Sequence, residues 1–172
     1  MLIGIVKVNS NPSVEKAVQT LGHTYTIVHI QDPDLVKKIK SSSISKWIFT
    51  GTGLATSVLK PLAPQVPLEI LSMKNKEFFC ICYSMESVLY QLGYSLKERA
   101  PKKEMFSLGP LRLYRNHRFY FPCNVLQKGF SHVECYHGEG MTVLYKNTVM
   151  TQWHPERTAD GRQCLKAWIE AS

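Results

Sequence analysis

Phe78-Phe79-Cys80-Ile81-Cys82-Tyr83-Ser84-Met85-Glu86 decides how this chain is read. An apolar run stops abruptly at a cysteine and gives way to small and helix-forming residues. The pattern predicts a strand, a sharp turn and a helix, with the Cys82 thiol at the helix N-terminus: a nucleophile elbow. The helix dipole and the free N–H groups at such a place lower a thiol pKa and favour the thiolate. Further along, Gln152-Trp153-His154-Pro155-Glu156 supplies the partners such a thiol needs. His154 can act as general base, and Glu156, two residues on, can orient its imidazole. The competing meaning of Cys82 is a buried, inert cysteine on a core strand, where free Cys usually packs.

The two segments resemble the paired motifs of class I glutamine amidotransferases. Residues 80–86 are similar to the Gly-Ile-Cys-Tyr-Gly-Met-Gln elbow of that family, and residues 152–156 to its Gln-Phe-His-Pro-Glu motif. The resemblance follows nearly the whole chain in the same order. It implies a flavodoxin-like sheet with the elbow after a central strand, and a Cys82–His154–Glu156 triad.

Length and composition are compatible with that fold. A chain of 172 residues suits one domain, 1–172, with a full hydrophobic core. Its 44% apolar and 20% charged residues are ordinary for a globular protein. No apolar run approaches the length of a membrane span. Met1-Leu2-Ile3-Gly4-Ile5-Val6 is too short for a signal-peptide core and reads as a first strand. Five cysteines, an odd number without metal-type spacing, are expected to be reduced thiols in a cytoplasmic protein. The elbow turn is expected to swing Cys82 away from Cys80, so no redox pair is read there. The net charge of +8 raises nucleic acid as a partner, but the basic residues are dispersed, Arg112, Arg115 and Arg118 among them. A solvated face is the better reading. His132 and His137 flank Glu134 and Cys135 without a familiar metal spacing, and no metal or cofactor is expected.

Periodicity organises the first half as alternating elements. Strands are expected at Leu2–Val8, Tyr25–Ile30, Lys46–Thr50 and Glu77–Cys82. Helices are expected from Ser13, as N-cap, to Leu21, from Leu35 to about Lys40, and from about Met85 to Leu92. Strands alternating with helices predict an α/β fold with a mostly parallel central sheet flanked by helices. From about Ser95 the runs shorten: Leu111–Tyr114, His117–Phe121, Ser131–Tyr136, Met141–Tyr145 and Val149–Trp153. They predict antiparallel additions that return to the sheet. Gly161–Ala171 reads as a closing helix.

Attack on a carboxamide creates an oxyanion that needs preorganised N–H donors. The backbone N–H of Tyr83 is one candidate. The other comes from Ile48-Phe49-Thr50-Gly51-Thr52-Gly53, at the end of a predicted strand, which is similar to the family's Leu-Ser-Gly-Gly-Pro-Gly loop. Gly51 and Gly53 are expected at the substrate and Thr52 at the oxyanion. An ordinary strand-exit turn would also be glycine-rich. Four residues depart from the family pattern: Thr52 in the loop, Ser84 and Cys80 where the family has glycine, and Glu86 where it has a substrate-holding glutamine. An ionised carboxylate accepts but cannot donate. Glu86 and Trp153 fit the related gamma-glutamyl hydrolases better, with their similar Cys-Leu-Gly-Phe-Glu and Gln-Trp-His-Pro-Glu motifs. Glu86 on the surface of the first helical turn is the plain alternative. His117 lies where amidotransferase domains of GMP synthetase carry a Ser-His segment, and is expected in the site wall or as a hydrogen-bonded strand histidine.

The resemblance implies hydrolysis of the glutamine side-chain amide through a thioester on Cys82, with ammonia passed to a partner synthetase. The compact chain is similar to the free-standing glutaminase subunits of GMP synthetase. Two other readings stand beside this one: a self-sufficient gamma-glutamyl hydrolase or peptidase, and a non-enzymatic relative that keeps the fold as a binding or regulatory module.

Overall fold

The structure, a computed structural model, describes residues 1–52 and 57–171. Five parallel strands carry the fold: β1 (Leu2–Lys7), β2 (Thr24–His29), β3 (Lys46–Phe49), β4 (Glu77–Ile81) and β9 (Thr148–Thr151). Two antiparallel strands, β7 (His132–Tyr136) and β8 (Glu139–Tyr145), extend the sheet beyond β9. The order is β2-β1-β3-β4-β9-β8-β7. This is the expected α/β architecture, a mostly parallel sheet with antiparallel additions in the C-terminal half.

Helices cover both faces, which is why the central strands read as nearly unbroken apolar runs. Helices α1 (Ser13–Thr20) and α5 (Ala159–Glu170) bury Val14, Ala17, Val18, Leu165 and Ile169 against Ile3, Ile5, Ile48, Phe79 and Ile81. On the other face, α2 (Leu35–Ser41), α3 (Tyr83–Gln91) and α4 (Cys123–Gly129) pack Ile39, Met85, Val88 and Leu126 against Val6, Phe49, Phe78 and Cys80. Along β4 the side chains alternate between the two cores, Phe78 and Cys80 to one, Phe79 and Ile81 to the other. Trp168 on α5 packs edge-on against Phe79.

The second half differs from expectation in several places. Leu111–Tyr114 and His117–Phe121 are one strand, β6 (Leu111–Tyr120), and its partner β5 (Lys97–Leu108) was not foreseen. The two form a separate ribbon rather than returning to the sheet. β5 is polar, is interrupted at Pro101 and buries only Phe106. It lacks the alternation that marks a half-buried strand, and the register shifts between Glu98 and Lys102, where the proline interrupts the ladder. The strand at residues 148–151 is antiparallel to β8, as expected, and also pairs in parallel with β4, which joins these additions to the parallel sheet. Ser13 is the first residue of α1 and Pro12 its cap.

Two chemical expectations fail as well. Cys123 and Cys135 form a disulfide, their Cα atoms 5.9 Å apart, so the five cysteines are not all reduced thiols. The start of α4 and the strand β7 bring them together, a juxtaposition that cysteine spacing does not reveal. The ground for placing the chain in a reducing compartment goes with it. Arg115 is not part of a solvated face: it is 3% exposed. Its guanidinium pairs with Glu104 and Glu139 and lies over the Phe106 and Tyr136 rings. A buried guanidinium needs such partners to offset its lost hydration. No helix is long and apolar enough to cross a membrane among the described residues.

Candidate active site

The C-terminal ends of four parallel strands meet at one place: β1 leads to Asn9, β3 to Gly51, β4 to Cys82 and β9 to Gln152 and His154. In open α/β sheets this edge is where ligands bind. Cys82 sits between β4 and α3 with φ 49° and ψ −102°. A left-handed φ is costly for a residue with a side chain and persists only when its surroundings impose it. The strand-to-helix turn imposes it here. The Cys82 N–H is tied to the Thr151 carbonyl at 2.6 Å, and α3 begins at the next residue. That is the backbone of a nucleophile elbow.

Gly51 lies between Cys82 and His154. A Cβ built on it would stand 3.2 Å from the Cys82 Cβ and 3.1 Å from the His154 Cε1. A side chain at this position would fit only if these neighbours gave way by a few tenths of an ångström. Three contacts hold the loop. Asn9 Nδ2 donates to the Gly51 carbonyl at 2.7 Å. The Val8 N–H donates to Thr50 Oγ1 at 2.9 Å. Ser84 Oγ donates to the Thr50 carbonyl at 2.7 Å. Ser84, where glycine would be expected, thus ties the elbow helix to the loop. Thr52 lies beside a small polar cavity; Gly53 lies outside the described residues.

His154 and Glu156 form a pair at 2.9 Å between Nδ1 and Oε1. Burial works against ionisation of Glu156, but attraction to His154 and the hydrogen bond from it hold the carboxyl below its usual range. A cavity of about 80 Å³ opens on this side, walled by Asn9, Asn11, Gly51, Thr52, Asn116, His154, Glu156 and Arg157. His154 Nε2, Glu156 Oε2 and Asn116 Oδ1 are buried with no hydrogen-bond partner among the described residues. The hairpin β5–β6 reaches the same place. The His154 N–H donates to the Tyr114 carbonyl at 2.9 Å, and the two rings lie 6.4 Å apart.

Cys82 is paired elsewhere. It is 1% exposed and does not line the cavity. Its Sγ lies 3.8 Å from Glu86 Oε2 and 3.5 Å from Gln152 Nε2, and the Gln152 amide also donates to Glu86 Oε2 at 2.7 Å. Burial, then the nearby Glu86 charge, push the thiol well above its ordinary range, against the pull of Gln152 and the Tyr83 N–H. The lowered thiol pKa expected from the helix N-terminus is therefore not found: burial outweighs the dipole. Burial also pushes Glu86 up to about 7, opposed by hydrogen bonds from Gln152 and Cys82. Glu86 is neither on the surface nor at the cavity, but buried one turn after the thiol.

His117 is placed away from the cavity. Its Nδ1 lies 2.7 Å from the Phe119 carbonyl and its Nε2 3.9 Å from Glu139, within the Arg99–Glu139–Arg115 ion cluster. Burial lowers it to about 4. Its neighbour Asn116 takes the place in the cavity wall. Sequence reading had not singled out Asn9, Asn116 or the side chain of Gln152. Asn9 alone carried a signal, as a polar residue at the exit of the first strand.

No protein-family model and no curated protein sequence matches the chain. Solved structures do. A Thermoplasma acidophilum protein assigned to GMP synthase, as one of its subunits, aligns with a TM-score of 0.70 at 16% identity, over 98% of this chain and 92% of its own. A Thermotoga maritima glutamine amidotransferase gives 0.61 at 15% identity, over 98% of this chain and 82% of its own. The Thermotoga maritima PurLQS structure gives 0.64 at 14% identity, covering 98% and 96%. Elbow, sheet order and alignment agree, and the chain has the class I glutamine amidotransferase fold.

Proposed function

We propose that the chain hydrolyses the side-chain amide of glutamine, or another gamma-glutamyl amide, through a thioester on Cys82. The observation that carries this reading is the strained elbow at Cys82 beside Gly51, with the paired His154 and Glu156 on the other side of that glycine. A merely structural cysteine has no use for a left-handed backbone at a strand–helix junction. In this mechanism the Cys82 sulfur attacks the carboxamide carbon and its proton passes to His154 Nε2. The backbone N–H groups of Tyr83 and Thr52 hold the oxyanion, and His154 protonates the departing ammonia. Water activated by the same imidazole then cleaves the thioester and releases glutamate. Glu156 keeps the imidazole oriented and stabilises its cation.

The likeness to PurLQS and to a protein assigned to GMP synthase supports a partner synthetase that receives the ammonia. The gamma-glutamyl peptidase alternative leaned on Glu86 as a substrate-holding group, and Glu86 is engaged by the thiol and Gln152 instead. Ammonia release from glutamine by the wild-type protein and by Cys82→Ala, each assayed alone and with gamma-glutamyl peptides, tests the reading. Turnover of glutamine that survives loss of the thiol would overturn it.

A further inference from the structure

We propose that Glu86 and Gln152 are positioning residues that hold the Cys82 thiol by its proton, keeping it disengaged from His154 until the Glu86 carboxylate is neutralised. The inference rests on Cys82 being the nucleophile of the proposed function. The geometry carries it. Sγ has Glu86 Oε2 at 3.8 Å and the Gln152 amide at 3.5 Å, while the amide clamps the carboxylate at 2.7 Å. Cys82, Glu86 and Gln152 are 1%, 3% and 0% exposed. On the other side of Gly51, His154 Nε2 has no partner among the described residues. The thiol has two acceptors at 3.8 Å, the Glu86 carboxylate and the Asn116 carbonyl, and of these only the carboxylate adds a charge, while the base nearby has no partner among the described residues.

Glu86 reaches the thiol because residues four apart on a helix share a face. A family glutamine at that position would be neutral. A carboxylate so close adds a negative charge that opposes thiolate formation. The charged and titratable groups around the pair are few. Arg118 on β6 attracts Glu86, Tyr83 adjoins it on α3, and Glu156 adds a second negative charge near Cys82. His154 stands on the far side of Gly51. A proton on Glu86 would neutralise the carboxylate. The thiol proton is then free to pass to His154 Nε2 as the sulfur attacks.

The test is the pH profile of Cys82 alkylation by iodoacetamide, read by peptide mapping. This reagent needs no gamma-glutamyl recognition, so a wrong substrate assignment leaves the reading intact. In the wild-type protein the logarithm of the rate should rise with unit slope below the Glu86 titration near 7 and flatten above it. In Glu86→Gln it should rise without that break, with a rate at pH 8 about tenfold higher, one unit of thiol pKa. Glu86→Ala repeats the reading should the buried amide disturb packing. Profiles that coincide in all three proteins, or a slower Cys82 in both variants, would overturn the proposal. A purely structural role for Glu86 would not move the break.

Discussion

The two sides of the candidate site are built differently. On the base side, His154 and Glu156 face a small polar cavity and keep a nitrogen and an oxygen atom with no partner among the described residues. On the nucleophile side, Cys82 is buried, with Glu86, Gln152 and the Asn116 carbonyl around its sulfur. Both sides rest on the same sheet edge, and Gly51 stands beside both. A chain can thus build the backbone of a nucleophile elbow while burial and a neighbouring carboxylate favour the protonated thiol. What the fold fixes is placement; what a few buried polar side chains fix is the protonation state.

The largest effect is expected from removing either side. Cys82→Ala and His154→Ala should each reduce ammonia release from glutamine by about 10³-fold or more, and the double variant should lose little further, because triad members act as a unit. Additive losses in steady-state assays would mean that the two sides do not cooperate. Next comes Gly51. Gly51→Ala places a methyl group against the Cys82 Cβ and the His154 Cε1. A displacement of this kind should cost on the order of 10²-fold in kcat with the fold retained, as judged by circular dichroism.

Glu86 offers a third test, on stability. Its native pKa lies above the unfolded value of about 4.3. The native state therefore holds a proton that the unfolded chain has lost, and stability falls as pH rises from about 4 through about 7. Glu86→Gln has no such proton to lose. Its advantage over wild type should grow across that window to on the order of 4 kcal/mol and stay level above it. Urea melts at pH 5 and pH 8 check this; an equal difference at both would place Glu86 in water. The smallest effect concerns Ser84. Ser84→Ala removes the donor to the Thr50 carbonyl. It should cost about 1 kcal/mol and a modest loss of kcat, as the loop beside Gly51 loosens.

The legible part of the molecule is the part in which local pattern and tertiary role coincide. β1, β3 and β4 are apolar because both faces are covered, and the elbow announces itself where that run meets Cys82-Tyr83-Ser84. His154 and Glu156 were legible because two residues of sequence separate them and one hydrogen bond joins them. β5 was not legible, since a polar ribbon strand held mainly by its partner leaves no hydrophobic alternation to read. The Cys123–Cys135 bond, the burial of Arg115 and the Glu86–Gln152–Cys82 cluster each join residues that only the folded chain brings together. Burial also decided the sign of the thiol shift, which helix position alone had suggested wrongly.

The central claim is that Cys82 forms a covalent bond with a gamma-glutamyl carbonyl compound. Intact mass after exposure to an electrophilic glutamine analogue, a diazoketone, tests it most directly. The account predicts a single adduct that maps to Cys82, is slowed by free glutamine and is absent in Cys82→Ala. An adduct on Cys80 or Cys164 instead, or none on Cys82 in either the wild-type protein or Glu86→Gln, would contradict it.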